Sequence, residues 1–377
     1  MGPEYGRSAG QAWFNRPSTA ASRGARRRRR KGLWCFPSLS KEPLLAIRFQ
    51  KQWRPETIPS GAFFKMAQRI LVTGAAGYIG CILIPDLLRE GHQVIALDTY
   101  NRNDTVLAQL CADPNFEPVR GDARDESVMK SLVARADVVI PLAALVGAPL
   151  CKQDPIGAVT TNLDAVRLAV KLLSPSQRIV YPTTNSGYGV GTKGEMCTEE
   201  TPLNPISLYG TTKCDAEKAV LDNGNGITLR LATVFGMAPR MRVDLLVNDF
   251  TYRAVTDRAV VIFEGNFKRN YIHVRDVSKA FRHMLANYDK LNNNAFNVGL
   301  SDANLSKLEL CERIKRFIPE FSYLESPIGE DPDKRDYIVS NAKIEASGWS
   351  PDHSLDAGIQ ELIRGYRMIR NSKFSNV

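Results

Sequence analysis

Ile70-Leu71-Val72-Thr73-Gly74-Ala75-Ala76-Gly77-Tyr78-Ile79-Gly80 is the stretch whose reading decides the fold. Its first four residues are apolar or β-branched, the pattern of a buried strand. The glycine-rich turn follows at once, and then an apolar period through Leu83, Leu87 and Leu88 predicts a helix that stops at Gly91. Val94-Ile95-Ala96-Leu97 predicts a second strand, and it ends on Asp98. Each part has a physical task. Gly74, Gly77 and Gly80 allow a tight turn, close approach of backbone to a pyrophosphate, and close helix–strand packing. The helix N-terminus, with Tyr78 and Ile79 beside it, offers N–H groups and a positive dipole end to phosphate. Asp98 lies 18 residues after Gly80, where a carboxylate accepts from a ribose 2′-hydroxyl and repels a 2′-phosphate. Thr99 follows rather than an arginine, so the expected cofactor is NAD, although Arg102 lies nearby.

The unit then repeats. Phe116–Val119 leads to Gly121-Asp122, and Val138–Ile140 leads to Leu142-Ala143-Ala144. Helical stretches are expected near 127–134 and 159–173, and a further strand starts at Arg178. Alternation of this kind predicts an α/β fold, a doubly wound parallel sheet of Rossmann type, with ligands beyond the carboxyl ends of the strands. Ala143 and Ala144 stand at one such end. Asp122 stands at another, where it either accepts from the adenine amino group or caps a helix.

Downstream, Tyr181-Pro-Thr-Thr-Asn-Ser-Gly-Tyr-Gly189 precedes Ser207-Leu-Tyr-Gly-Thr-Thr-Lys213. Tyr209 and Lys213 are four apart and share one helical face. An ammonium beside a phenol stabilises the phenolate and draws its pKa down from about 10, which makes Tyr209 a general base for a hydroxyl proton. Thr184, at a strand end, is placed to hydrogen-bond the same hydroxyl.

The whole chain of 377 residues carries a net charge of +10, which resembles a nucleic-acid signal until it is located. Residues 1–65 hold 14 of the 50 basic and 3 of the 40 acidic residues, a net of +11. That leaves 36 basic and 37 acidic residues for 66–377, a net of −1. Nucleic acid is therefore not an expected partner of the body. Residues 1–65 contain the run Arg26–Lys31 and three of four tryptophans, and lack a sustained apolar period. They read as a basic, poorly ordered extension, with an organelle transit peptide and a nuclear or nucleic-acid patch as the other readings. The longest uncharged apolar run, Val138–Cys151, has 14 residues broken by Pro141 and Pro149, too short to span a bilayer. Seven scattered cysteines without a Cys-x-x-Cys pair, and four dispersed histidines, predict neither a disulfide framework nor a metal site, and point to a reducing, cytoplasmic compartment.

From Gln68 to about Ile363 the chain resembles the extended short-chain dehydrogenase/reductase family, in particular its nucleotide-sugar epimerases and dehydratases. The motifs are Gly74-x-x-Gly77-x-x-Gly80, Asp98, Thr184, Tyr209-x-x-x-Lys213 and Arg269-Asn-Tyr-Ile-His-Val-Arg-Asp276. The resemblance implies an NAD-binding part, mainly 66–240, and a smaller C-terminal lobe for a nucleoside-diphosphate sugar, mainly 241–377, with the chain exchanging between them. It also implies a homodimer joined through a helical bundle. Carried onto this sequence, Tyr209 takes the proton of the sugar C4 hydroxyl as hydride leaves C4, and Lys213 also holds the nicotinamide ribose. Arg269 and Arg335 would grip the diphosphate, where guanidinium forks suit phosphate oxygens. His273 would order packing rather than catalyse.

Departures from the family pattern bear on the reaction. Dehydratases of the family carry an Asp-Glu pair after the catalytic threonine. Asn185 and Ser186 occupy those positions, are expected to contact the substrate, and cannot exchange protons near neutral pH, which disfavours dehydration. A family asparagine that contacts the sugar falls near Thr233. The blocks 141–151, 184–189 and 329–337 are similar to a smaller branch that includes GDP-heptose 4-dehydrogenases of bacterial surface-polysaccharide biosynthesis. The expected activity is thus NAD-dependent oxidation at C4 of a GDP- or UDP-linked sugar, as a 4-dehydrogenase or a 4-epimerase. A 4,6-dehydratase and a catalytically silent NAD-binding regulator are the alternatives. A silent regulator would have no use for both Tyr209 and Lys213.

Overall fold

In chain order the strands are β1 (Arg69–Thr73), β2 (Gln93–Asp98), β3 (Phe116–Arg120), β4 (Val138–Pro141) and β5 (Arg178–Thr184). Then come β6 (Met196–Cys197), β7 (Gly226–Leu231), β8 (Thr233–Phe235), β9 (Ala259–Ile262) and β10 (Lys268–His273). The last are β11 (Asn294–Val298), β12 (Asn304–Ser306), β13 (Ser322–Glu325) and β14 (Ile338–Val339). The computed structural model describes residues 67–101, 105–192, 194–327 and 335–369, all within the compact unit Phe63–Val377. The basic extension 1–65 and Arg102 fall outside the described residues.

Seven strands form one parallel sheet in the order β11-β7-β5-β4-β1-β2-β3. The chain runs outward from β1 to β3, returns to β4 beside β1, and then proceeds the other way. The loops after β1 and β4 therefore diverge on opposite sides of the sheet and leave a crevice at that switch point. β1 shows why its sequence reads as a continuous apolar run. Ile70 and Val72 pack with Leu83, Ile84 and Leu87 of the helix Gly80–Arg89, whereas Leu71 faces Ile95, Met129 and Ala169 on the other side. Both faces are covered, as parallel sheets require. Each fully buried Ile, Leu or Val contributes about 1.5–3 kcal/mol.

The helix Gly80–Arg89 ends where the sequence predicts, with Gly91 at φ +85°. The expected helix near 127–134 spans Glu126–Val133, and its cap is Asp125, which accepts from the N–H groups of Ser127 and Val128. Asp122 does not cap it. The stretch expected as one helix over 159–173 is interrupted: Pro155–Val159 and Ala165–Leu172 flank a π-helical turn, Thr160–Asp164. The wide turn brings Asn162, fully buried, against the backbone of Leu145, with Oδ1 accepting from its N–H at 2.8 Å and Nδ2 donating to its carbonyl at 2.9 Å. That pair of bonds holds the segment after β4 in place.

A second, three-stranded sheet has the order β12-β10-β8, and two short parallel pairs join β13 to β9 and β14 to β6. The chain passes between sheets: β8 follows β7 directly into the smaller sheet, and β11 returns to the edge of the larger one. The helix Val274–Ala286 packs beside Gly80–Arg89, where Ser278 donates to Asp86 at 2.5 Å and Arg282 pairs with Glu90 at 2.7 Å.

Candidate active site

A cleft of about 540 Å³ opens at the switch point, within the range of small-ligand sites. One side is the glycine turn. Gly74 has φ +67°, and a Cβ there would lie 2.5 Å from the backbone nitrogen of Ala143. The loops after β1 and β4 thus touch at Gly74 and Ala143, with no room for a side chain. A Cβ at Gly80 would lie 2.3 Å from the carbonyl oxygen of Ala75. Gly77, Tyr78, Ile79, Gly80, Ala143 and Ala144 all line the cleft.

Asp98, at the end of β2, also lines it. Its Oδ2 accepts from the N–H of Ala76 and its Oδ1 from that of Tyr100, both at 2.9 Å. The carboxylate is thereby fixed in orientation, and each oxygen keeps a further lone pair for a ligand hydroxyl. Asp122 lines the cleft beside Arg124, and the two are joined by a 2.6 Å ion pair that holds the Asp122 carboxyl below its usual range. Of its two sequence-based roles, helix capping belongs instead to Asp125. The Tyr78 hydroxyl turns away from the turn's own backbone and donates to the carbonyl of Gly236 at 2.5 Å, while accepting from Asn248 at 3.2 Å.

The opposite wall carries the hydroxyl and amine groups. β5 ends at Thr184, and Ser207 caps the helix Leu208–Asp222 by accepting from Gly210 at 3.2 Å, so Tyr209 and Lys213 occupy its first two turns. Thr184, Ser186, Tyr209 and Lys213 line one cleft. The Thr184 hydroxyl lies 2.9 Å from that of Ser186 and favours the phenolate of Tyr209 against burial.

The electrostatics differ from the sequence-based expectation. Burial pushes the Tyr209 phenol up to about 12, and the charges that oppose this are Arg335 and Arg242, not Lys213. Burial likewise draws the Lys213 amine down to about 7, and its Nζ sits 4.0 Å from the centre of the Tyr181 ring. Spacing along the helix puts lysine and tyrosine on one face. It says nothing of the aromatic floor from β5 that receives the ammonium.

The expected sugar- and phosphate-contacting residues separate into two groups. Ser186, Thr233 and Arg335 line the cleft; Asn185 and Arg269 do not. Arg269 lies on β10, 3% exposed. Asn185 is buried at the start of the turn after β5, and neither its Oδ1 nor its Nδ2 has a hydrogen-bond partner among the described residues. Sequence reasoning missed Arg240 and Arg242, which both line the cleft and are both 7% exposed. The available signal was a pair of arginines at i and i+2 inside the mainly apolar Met237–Leu246, just after the glycine that follows β8.

His273 stands outside the cleft. Its Nδ1 accepts from the N–H of Arg275 to cap the helix Val274–Ala286, and its Nε2 meets Glu361 at 2.7 Å. It stacks on His353 with centroids 4.4 Å apart. His273, Asp276 and His353 bring ligand atoms within 4.8 Å of one another, but Asp276 is already spent on the backbone of Asp352 and His353 and on His353 Nδ1.

A glycine turn without room for Cβ, an oriented carboxylate at the end of β2, and a cleft at the switch point fit a dinucleotide. Residues 70–299 match the model of the NAD dependent epimerase/dehydratase family. The chain belongs to that family. It is an enzyme, and its cofactor is NAD. Among curated relatives, a low-salt glycan biosynthesis protein of Haloferax volcanii is 29% identical, covering 79% of this chain and 98% of the relative. UDP-glucuronic acid decarboxylase 1 of Arabidopsis thaliana is 28% identical over 79% of this chain and 70% of its own length. Among solved structures, UDP-glucuronic acid 4-epimerase from Bacillus cereus, in complex with UDP-glucuronic acid and NAD, superposes with a TM-score of 0.70. It is 23% identical over 80% of this chain and 99% of its own, a likeness that shows the Rossmann-type fold. No helix among the described residues is long and apolar enough to cross a membrane.

Proposed function

We propose that this enzyme oxidises the C4 hydroxyl of a nucleoside-diphosphate sugar, GDP- or UDP-linked, as a 4-dehydrogenase or a 4-epimerase. The observation that carries this reading is the convergence of Thr184, Tyr209 and Lys213 on one wall of a cleft whose other wall is the glycine turn with Asp98. Bound NAD supplies the hydride acceptor. Tyr209 takes the C4 hydroxyl proton, with Thr184 orienting both hydroxyls. Arg335 and Arg242 favour the phenolate against the opposing effect of burial. Lys213, with a pKa near 7, exchanges a proton at working pH and holds the nicotinamide ribose. Arg335, on the cleft, and Arg269, buried on β10 outside the cleft lining, are assigned to the substrate diphosphate. Thr233 is assigned to the sugar pocket.

Asn185 and Ser186 argue against elimination of water, since an amide and an alcohol neither donate nor accept a proton readily near neutral pH. The names of several relatives, among them UDP-glucose 4-epimerase and UDP-glucuronic acid decarboxylase, support a nucleotide-sugar substrate. The same proposal assigns residues 66–240 mainly to NAD and 241–377 mainly to the sugar nucleotide, and includes a cytoplasmic homodimer, with organelle targeting by residues 1–65 as the alternative. Light scattering of the purified chain tests the dimer.

The reaction is tested by incubating the full chain and NAD with UDP-hexoses, GDP-mannose and GDP-heptose, followed by mass spectrometry and NMR. Loss of two hydrogens identifies a 4-dehydrogenase, and an unchanged mass with inverted C4 identifies a 4-epimerase. Loss of water would overturn the role given to Asn185 and Ser186.

A further inference from the structure

A turn built around Gly74, Gly77 and Gly80 has few side chains with which to hold its own shape, and glycine loses more freedom on ordering than any other residue. Its restraints come from outside it. On the first half of the turn, Asp98 accepts from the N–H of Ala76 at 2.9 Å. On the second half the restraint is Tyr78, whose side chain leaves the turn and reaches a residue 158 positions further along the chain. There its hydroxyl closes a ring of three hydrogen bonds. It donates to the carbonyl of Gly236 at 2.5 Å, and the N–H of Gly236 donates to Asn248 Oδ1 at 3.0 Å. Asn248 Nδ2 then donates back to the Tyr78 hydroxyl at 3.2 Å.

The far end of this ring is rigid. Gly236 has φ +113°, and a Cβ there would lie 2.4 Å from Nε2 of His273, which is itself bound to Glu361 at 2.7 Å. Asn248 lies on the helix Leu246–Thr256, and its amide also donates to the carbonyl of Arg242 at 2.8 Å. Tyr78 is buried and Asn248 fully so, which keeps water from competing for these bonds. A second link runs beside the first. The N–H of Arg240 donates to the sulfur of Cys81 at 3.5 Å, and the Cys81 thiol donates to the carbonyl of Tyr78 at 3.4 Å. Asn248 itself is not part of the cleft lining.

We propose that Tyr78 and Asn248 act together as positioning residues for the cofactor, their hydrogen-bonded ring holding the glycine turn in the shape that receives the dinucleotide pyrophosphate before NAD arrives. Without the ring, NAD itself must order the glycines, and that entropy is lost from the binding free energy. Tyr78 therefore serves the phosphate site through a hydroxyl that points away from it, and Asn248 serves it without lining the cleft. The inference depends on NAD binding alone, so it stands or falls separately from the C4-oxidation reading.

The test is calorimetric titration of the full-length chain with NAD, for the wild type, Tyr78→Phe, Asn248→Leu and the double variant. Tyr78→Phe keeps the ring and removes one hydroxyl, and NAD affinity should fall about 10-fold, the equivalent of one buried hydrogen bond. Asn248→Leu, similar in volume, should lose a similar factor. The double variant should bind within about 2-fold of the weaker single variant, because partners in one network do not add. Tyr288→Phe controls for a general loss of stability. Its buried hydroxyl meets the backbone of Ile179 and Asn225 at 2.9–3.2 Å, away from the cleft lining. That variant should melt at a lower temperature yet keep NAD affinity within about 2-fold of wild type. Thermal melting checks that each variant folds, and Tyr78→Phe against Tyr288→Phe carries the test if Asn248→Leu does not. An NAD affinity of Tyr78→Phe within about 2-fold of wild type would overturn the proposal, as would an equal loss in Tyr288→Phe. Losses that add in the double variant would overturn the joint action of the two residues.

Discussion

The Arg230 guanidinium grips the Glu217 carboxylate through three hydrogen bonds of 2.7–3.3 Å, with both side chains almost wholly buried. Arg230 belongs to β7, and Glu217 lies one helical turn beyond Lys213. The remaining guanidinium donor, Nη1, goes to the Tyr188 hydroxyl and the Glu199 carbonyl, both at 3.0 Å. This pair pins the helix that carries Tyr209 and Lys213 onto the sheet. Glu217→Ala leaves a buried cation unpaired, and urea denaturation should show a loss of about 3–5 kcal/mol. Replacing both partners at once by apolar side chains of similar bulk, Glu217→Leu together with Arg230→Met, should recover most of it. A single-variant loss below about 1 kcal/mol would mean that water reaches the pair.

What could be read from the sequence, and what could not, divides along a physical line. The glycine turn, Asp98 and the Tyr209–Lys213 spacing were legible because each depends on local geometry: a missing Cβ, a strand end, a helical repeat. The capping alternative for Asp122 fails because Asp122 and Asp125 both precede the same helix, and only the backbone path decides which one meets its free N–H groups. The Lys213–Tyr181 contact, the burial of Asn185 and the placing of Arg242 rather than Arg269 on the cleft all depend on segments far apart in sequence. No spacing along the chain encodes those approaches.

Gly74→Ala tests the contact between the two loops at the switch point. The new Cβ would meet backbone, which cannot yield as a side-chain tip does, and φ +67° adds strain of its own. A stability loss of about 1–3 kcal/mol is expected from the strained conformation. NAD affinity should fall at least about 10-fold, since the loop that approaches the pyrophosphate must move. Calorimetric titration with NAD measures it, and an affinity unchanged within error would show that this close approach is not used.

Tyr209→Phe removes the hydroxyl of this cleft-lining residue and leaves the ring. Turnover should fall by about 10²- to 10⁴-fold, the usual share of a general base. NAD affinity should stay within about 2-fold, because the glycine turn and Asp98 on the opposite wall are untouched. Turnover within a few-fold of wild type would remove Tyr209 from its assigned role.

Lys213 gives a pH dependence with a definite sign. Burial holds its amine near 7 against an ordinary value of 10.5, so between those limits the unfolded chain binds a proton that the native protein lacks. Stability from this group therefore rises with pH across the window, by up to about 1.4 kcal/mol per pH unit, and falls as pH drops toward 7. Below 7 the native state carries the full cost of a buried ammonium. Lys213→Met keeps the bulk and removes the titration. The variant should be more stable than wild type at pH 6–7, with the difference shrinking steadily toward pH 9. Buried thiols such as Cys214, pushed up to about 12, act in the opposite direction at high pH. They are common to both proteins and cancel in the comparison. Urea denaturation of the two proteins at half-unit steps from pH 6 to 9 measures the slope. Parallel curves would mean that Lys213 is solvated well enough to keep its ordinary pKa, and with it the charge that the sequence alone assigns to Tyr209.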